Sequence, residues 1–527
     1  MFDVVITGGT IIDGTGKPPY KSDIGIEGEK ITAIGNLNRA ETKDAINASG
    51  LTVTPGFIDS HAHSEGMLLV DPQHSAGLRQ GITTEILGQD GLSYAPLSRE
   101  NYHIYRRYLA GILGEPPLDL DMSTVESFRS HYHKKTAINT AYLVAHGALR
   151  LESIGFHDAP MVGDALTKAK RLLRESMEQG AVGLATGLSY HPHAWSDTTE
   201  LINLCEVTNK AGGVYVTHLR DVNPERGYGG GGVPEALEIG RRSGVPVHFS
   251  HYRTHPDNAG QVEELVAPID KAIAEGVNCT LELYPYSTGS GLPMSYLPSY
   301  AHEGGPDAII KRLLDPIIRP KLANHLDHHA RGDGDLANVS LSYFPINSHL
   351  EGMSLPEIST DTKGSLGDLL CDLLVEEDLS IAFWGRPPTD ENILQQINLD
   401  ALQLLSRPDY MVGSDSIWVG SKPHPRGYGT FPRFLRLRRD LGVLSLEEMI
   451  QRMTDNPARR FNLKNRGRIE KGYFADAVVF DSENINDNAT YEDPRQFPTG
   501  IPYVLVNGKI AVDRERCTGV LAGQAIP

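Results

Sequence analysis

The middle of the chain alternates short apolar runs with longer amphipathic segments. Patterns such as 165–178 and 233–242 place apolar residues at helical spacing. Eight apolar or β-branched runs have the length of buried strands: 57–59, 83–87, 141–145, 182–185, 214–217, 247–250, 280–284 and 410–413. Because strands that alternate with helices form parallel sheets, these eight predict an α/β fold with a closed (β/α)8 TIM barrel.

Both ends of the chain show a different pattern, in which short strand-like runs are separated by tight turns. Asn507-Gly508, for example, separates two apolar runs and predicts a hairpin. The interval 285–409 between the last two barrel strands is too long for a single helix, so it predicts an insertion. The predicted bounds are 1–55 and 467–527 for one composite β-sandwich domain, 56–466 for the barrel, and 287–405 for an insertion that covers the barrel mouth as a lid.

Histidines and a carboxylate stand at the ends of four predicted barrel strands. His61 and His63 follow the first strand, His218 and His251 follow the fifth and sixth, and Asp415 follows the eighth. Residues two apart on a strand share a face, and imidazole is a ligand that suits zinc. Since the carboxyl ends of barrel strands meet at one face, the five side chains predict a metal centre there.

Composition and charge exclude several classes of partner. The chain has 527 residues, of which 40% are hydrophobic and 22% charged, and its net charge of -18 disfavours nucleic acid and anionic membranes as partners. Its four cysteines form no CxxC pair, which is typical of a reduced protein. With no secretory leader and no membrane-spanning run, the sequence predicts a cytoplasmic location. The sequence leaves open whether the protein forms a homo-oligomer.

Several segments resemble a known family. The amidohydrolase superfamily is indicated by three segments: PGFIDSHAH at 55–63, NPA at 456–458 and GRIEKGYFAD at 467–476. Within it, the N-acyl-D-amino-acid deacylase (D-aminoacylase) group is indicated by three more: 81–96, 282–286 and 424–433. The resemblance covers nearly the whole chain.

The resemblance implies a zinc site of one or two ions at the strand ends, with other divalent metals left open. It implies that His61 and His63 hold one metal position and that His218 and His251 hold the second. It also implies that Asp415 is the general base for the hydrolytic water and later the acid for the leaving nitrogen. The substrate is then a small N-acyl amino acid.

One departure from the family pattern lies after the second strand. The deacylase group has a metal-bridging cysteine there, and this chain has Asp90 within Gln89-Asp90-Gly91. A carboxylate can bridge two divalent ions and is a harder ligand than a thiolate. We therefore expect Asp90 to be a metal ligand. We also expect the site to be less selective for zinc and its second metal position to be more fully occupied.

The resemblance also assigns residues to the substrate carboxylate. Tyr190, Tyr284 and Arg426 match the group's pattern, while the group's lysine is replaced by Arg253. Both cations attract an anion, but the planar fork of arginine is not equivalent to an ammonium group. The substrate is therefore expected to be anionic near the amide.

Together these features predict a metal-dependent hydrolase that cleaves the amide bond of N-acyl-D-amino acids or similar N-acyl carboxylates. One alternative is a cyclic-amide hydrolase of the dihydroorotase or hydantoinase kind, which usually needs a carboxylated lysine that 183–188 lacks. Another is a catalytically inactive amidohydrolase-fold interaction protein, against which the complete ligand set argues. A sugar-amide deacetylase is a further alternative.

Overall fold

Eight parallel strands form the centre of the molecule. The computed structural model describes residues 1–37, 39–329, 335–361 and 364–527. Each barrel strand pairs with the next in chain order: Phe57–Asp59, Ile82–Leu87, Asn139–Ala145, Gly183–Gly187, Val214–His218, Val247–Phe249, Cys279–Leu283 and Tyr410–Val412. All eight predicted strands are confirmed, and they are numbered one to eight below.

The barrel closes at its carboxyl end through residues just past strands one and eight. The Ser60 amide donates to the Val412 carbonyl at 3.2 Å, and the Asp415 amide donates to the His61 carbonyl at 2.7 Å. Ala62 and Ser416 form a parallel bridge between the same segments. The closure therefore runs through the segments that carry three of the predicted site residues.

Alternate side chains of the strands face two different cores. Ile58, Ile86 and Met411 belong to a cluster inside the barrel, which Phe461 joins. Side chains of the opposite parity, such as Tyr142, pack outward with the helices. Burying one such aliphatic side chain contributes about 1.5–3 kcal/mol, so the barrel interior is a packed core and polar chemistry is left to its carboxyl face.

Helices surround the barrel and begin where the sequence provides caps. Asp197 accepts a bond from the Glu200 amide at 2.7 Å, and Ser445 forms a capping box with Glu448. The helices outside the insertion are Glu65–Val70, Ser75–Arg79, Arg99–Tyr108, Ala110–Leu113, Val125–Ser130, His146–Ser153, Gly163–Glu178, Thr198–Lys210, Gly232–Ser243, Val262–Ala274, Glu391–Ser406, Arg426–Leu441, Leu446–Met453 and Asp455–Arg460. None of the helices in the described ranges is long and apolar enough to cross a membrane.

The segment between strands seven and eight folds into a subdomain of its own. It has a three-stranded antiparallel sheet of Ser290–Gly291, Ala382–Gly385 and Val339–Tyr343. Its helices are Pro306–Leu314, Arg319–His329, Leu355–Ile358 and Leu366–Glu376. The sheet lies at the barrel mouth, since Gly291 and Phe383 line the cavity described below.

Both chain ends combine in a β-sandwich. One sheet has four strands: Phe2–Thr7, Asp23–Glu27, Lys30–Gly35 and Thr42–Asn47. The other has seven: Thr10–Ile11, Tyr20–Lys21, Thr52–Pro55, Ala477–Phe480, Tyr503–Val506, Lys509–Asp513 and Arg516–Cys517. Val4 and Ile26 of the first sheet share a buried core with Val53 and Val479 of the second. The predicted fold class is confirmed, whereas the exact domain bounds stay a prediction.

The hairpin predicted at Asn507-Gly508 joins two strands of the larger sheet. Both residues have a positive φ, 47° for Asn507 and 75° for Gly508. A two-residue turn of this kind matches the twist of the flanking strands and favours Asn-Gly.

Candidate active site

Four buried side chains converge past strands one, two and eight. His61 Nε2 lies 3.3 Å from His63 Nε2, which is 3.2 Å from Asp415 Oδ1 and 3.5 Å from Asp90 Oδ2. One ligand atom of each residue lies within 4.8 Å of the others. We call His61, His63, Asp90 and Asp415 the deep cluster.

A second group shares one carboxylate with the first. His218 Nδ1 lies 2.9 Å from His251 Nε2 and 3.7 Å from Asp90 Oδ2. We call Asp90, His218 and His251 the rim cluster, because its two histidines are only partly buried. Asp90 therefore belongs to both clusters.

The two clusters fit divalent metals by their donor chemistry. Imidazole nitrogens and carboxylate oxygens are ligands for zinc and other divalent ions. Asp90 Oδ1 and His63 Nδ1 are buried and have no hydrogen-bond partner. A buried carboxylate oxygen without a partner is costly, and a bound cation would remove that cost.

The backbone is left-handed at three of these ligands. The φ angles are 56° at Asp90, 38° at His251 and 52° at Asp415. Such angles are unfavourable for residues other than glycine and persist only where surrounding contacts enforce them. The His251 amide is held by Glu282 Oε1 at 2.6 Å, and the Asp415 amide is held by the His61 carbonyl.

Carboxylates set the protonation of the deep cluster. Burial acts to lower the pKa of His63, but Asp415 and Asp90 outweigh it and raise that pKa to about 10. Burial also acts to lower the pKa of His61, but Glu282, Asp90 and Asp415 outweigh it and raise that pKa to about 9. Conversely, burial would raise the pKa of Asp415, but Arg426 and His61 keep it below its usual range. The negative field that attracts protons here attracts a divalent cation as well.

Sequence analysis gave no role to Glu282, which contacts one residue of each cluster. Its Oε1 accepts a bond from His61 Nδ1 at 2.8 Å and from the His251 amide. The bond at Nδ1 leaves His61 Nε2 directed at the deep cluster. A Cβ on Gly413 would lie 2.1 Å from Glu282 Oε2, so the glycine makes room for the carboxylate. The sequence signals were an acidic residue within an apolar strand and its place in the 282–286 segment, neither of which indicated its role.

Two further residues position ligands. Asp59 Oδ1 accepts from the His61 amide at 3.1 Å and from the Ser414 amide at 2.8 Å, which ties strand one to strand eight. Ser189 Oγ lies 2.8 Å from His218 Nε2 in the rim cluster. The bonds of Asp59 to Ser414 and of Ser189 to His218 join segments that are distant in sequence, whereas the bond of Asp59 to His61 lies within the 55–63 motif.

A cavity of about 600 Å³ opens onto both clusters. Tyr190, Arg253 and Tyr284 line it, as expected for residues that contact substrate. Arg253 Nη2 lies 3.1 Å from the Tyr284 hydroxyl oxygen. Burial and Asp90 raise the pKa of Tyr190 well above its usual value, so its hydroxyl keeps a proton to donate.

Arg426 occupies a different place from the other three. It is fully buried, with Nη1 2.9 Å from Asp415 Oδ2 and Nη2 donating to Ser290 Oγ at 2.7 Å. Its guanidinium carbon and that of Arg253 each lie 4.6 Å from the centre of the Tyr284 ring. The Tyr284 ring thus contacts two cations, one of which pairs with Asp415.

The protein is a TIM barrel with two histidine–carboxylate clusters at its carboxyl face. These features place it in the class of barrel proteins with a metal-binding site. Residues 44–183 and 370–512 match the Amidohydrolase family, and the chain belongs to that family. The family resemblance of the sequence motifs is confirmed.

Three relatives illustrate the similarity. The chain is 32% identical to D-aminoacylase of Alcaligenes xylosoxydans xylosoxydans, over 100% of this chain and 97% of the relative. It is 33% identical to N-acyl-D-glutamate deacylase of the same organism, over 96% and 93% of the two chains. The crystal structure of N-acyl-D-glutamate deacylase from Bordetella bronchiseptica, complexed with zinc and a phosphonate inhibitor, superposes with a TM-score of 0.82 at 29% identity, over 100% of this chain and 99% of that one.

Proposed function

We propose that this protein is a divalent-metal-dependent hydrolase that cleaves the amide bond of N-acyl-D-amino acids, with zinc as the preferred metal. The observation that carries the proposal is the pair of clusters sharing Asp90 on the wall of a cavity that also holds Arg253. A divalent metal ion held by these clusters would lower the pKa of a bound water to about 7 and would polarise the scissile carbonyl. The relatives described above are deacylases of D-amino acid derivatives.

Asp415 is the proposed general base. Its carboxylate is ionised, lies at the cavity wall and is held by Arg426 on one oxygen, which leaves the other facing His63. It accepts the proton of the attacking water and then delivers it to the amide nitrogen. The C–N bond breaks, and the products are a carboxylic acid and a free amino acid.

The other proposed roles concern the substrate carboxylate and the oxyanion. Arg253 and the Tyr284 hydroxyl bind the carboxylate, and Arg426 adds positive charge across the Tyr284 ring. Tyr190 donates its hydroxyl proton to the developing oxyanion or to the carboxylate. A planar guanidinium at 253 favours a two-pronged contact with a carboxylate.

The alternatives have less support. A cyclic-amide hydrolase with a carboxylated lysine would need that lysine between the metals, and Asp90 holds the shared position here. An inactive interaction protein has no need for strained backbone at three ligands.

The first experiment measures turnover of matched N-acetyl-D- and N-acetyl-L-amino acids by zinc-loaded and chelator-treated protein. We expect hydrolysis of the D series that disappears on chelation. Asp415→Asn is expected to abolish turnover while the protein still folds, and Asp440→Asn, which changes an exposed carboxylate, serves as the matched control. Metal-loaded protein without turnover on either series would refute the proposal.

We also propose that the protein works in the cytoplasm, without nucleic acid or membrane as a partner. The net charge of -18 and four cysteines that form no disulfide support this. Cell fractionation tests the location, and light scattering tests for a homo-oligomer.

A further inference from the structure

The cavity wall beyond the two clusters combines hydrophobic and polar side chains. Six of its side chains are hydrophobic: Ile112, Leu219, Val233, Leu265, Phe383 and Ile417. Arg253 and Tyr284 supply one cationic corner, which the proposed function assigns to the carboxylate next to the amide. Neutral and basic polar side chains such as Asn258, Ser295 and His255 line the wall as well.

A second arginine lies on the wall but is already neutralised. Arg220 Nε donates to Glu235 Oε2 at 2.7 Å, and its Nη2 donates to Glu235 Oε1 at 3.2 Å. Its Nη1 donates to the Ala194 carbonyl and its Nη2 also donates to the Ser196 carbonyl, each at 3.0 Å. Both side chains of the ion pair are buried. Withdrawing Arg220 to bind a ligand would leave the Glu235 charge buried and unpaired, which is strongly unfavourable.

The next residue adds negative charge to the same wall. Asp221 lines the cavity and is exposed, and no cation pairs with it within the described ranges of the chain. A carboxylate entering this region would meet a like charge, without the arginine fork that carboxylate recognition usually requires. Rejection of one ligand through such a repulsive group is a general source of specificity.

We propose that the enzyme selects N-acyl-D-amino acids with neutral side chains and rejects those with acidic side chains. The proposal rests on the deacylase function proposed above and names its substrate class. Asp221 is the specificity-determining residue, since it repels a second carboxylate, and Glu235 contributes by keeping Arg220 occupied.

The test compares kcat/KM for N-acetyl-D-leucine, N-acetyl-D-glutamine and N-acetyl-D-glutamate with the zinc-loaded full chain. Glutamine and glutamate have nearly the same shape and differ in charge. We expect the glutamate derivative to be at least about tenfold poorer than the glutamine derivative. Asp221→Asn is expected to reduce that ratio severalfold. Glu225→Gln, which changes an exposed acid of the same loop outside the cavity wall, should leave the ratio unchanged.

The outcomes separate this inference from the proposed function. If N-acetyl-D-glutamate is hydrolysed as well as N-acetyl-D-glutamine, the inference is wrong and the deacylase function still stands. An unchanged ratio in Asp221→Asn would remove Asp221 as its cause. No turnover of any of the three would refute the deacylase function and this inference with it.

Discussion

The deep and rim clusters share Asp90 but differ in burial and in number of ligands. The deep cluster has four ligand groups, all buried, whereas the rim cluster has three, and its two histidines are only partly buried. Their supports differ as well. Glu282 places a carboxylate behind His61, while Ser189 places a neutral hydroxyl beside His218. A carboxylate partner raises the basicity of a ligating histidine, so we expect the deep position to bind its metal more tightly.

Loss of a deep ligand is expected to have the largest effect. In His63→Ala a buried ligand is missing, and we expect the deep metal to be lost and kcat/KM to fall by more than the roughly 100-fold that loss of an outer partner costs. His218→Ala is expected to keep the deep metal. Metal analysis by mass spectrometry together with steady-state kinetics measures both effects. His103→Ala, at a surface contact with Leu118, is the control. More bound metal in His63→Ala than in His218→Ala would show that the rim position, and not the deep one, binds its metal more tightly.

Changing the shared carboxylate tests the link between the clusters. Asp90→Asn keeps the shape but removes the charge that balances two cations, so we expect loss of the rim metal and about a 100-fold fall in activity. Asp90→Cys restores the thiolate of the deacylase group and should raise the preference for zinc over manganese, since sulfur is the softer ligand. Competition between the two metals measures this preference. Retention of two metal equivalents by Asp90→Asn would contradict the bridging role.

Replacing the outer carboxylate should weaken the deep site alone. In Glu282→Gln the bond to His61 loses its charge, and we expect metal affinity there to fall about 10- to 100-fold. Titration with a chelating dye measures the affinity of each position, and a thermal melt of the metal-free variant reports on folding. Glu264→Gln, a change of an exposed acid, is the matched control. An equal loss of affinity at the rim would show that Glu282 supports both sites through His251.

The smallest expected change is at the rim. Ser189→Ala removes one neutral hydrogen bond to His218, which corresponds to about a two- to tenfold loss of metal affinity. The same dye titration detects it, with Ser196→Ala, at a serine whose hydroxyl donates to the His193 carbonyl, as comparison. A loss larger than that of Glu282→Gln would mean that the hydroxyl matters more than the carboxylate.

The sequence predicted the barrel and brought the five proposed ligands and the proposed base Asp415 to one face because strand ends follow from periodicity. It could not predict Glu282, since its bond to His61 depends on where side chains of strands seven and one meet inside the barrel. Arg426 illustrates the same limit. Its position in the sequence indicated a contact with the substrate carboxylate. In the structure it pairs with the carboxylate of Asp415, and the rotamer of its long buried side chain determines that contact. Asp90 was identified only because a family pattern showed what it replaces.

The closure of the barrel at its ligand-bearing end has a consequence for biosynthesis. Ser414 and Asp59, which are joined by a hydrogen bond, lie 355 residues apart in the chain. A nascent chain therefore carries His61 and His63 through most of its translation before Asp415 emerges from the ribosome. Contacts of such long range form late, so the closure of the barrel and the creation of the deep cluster coincide. A metal ion that binds only the finished cluster would then stabilise the closed barrel, by an amount that grows with the logarithm of the free metal concentration.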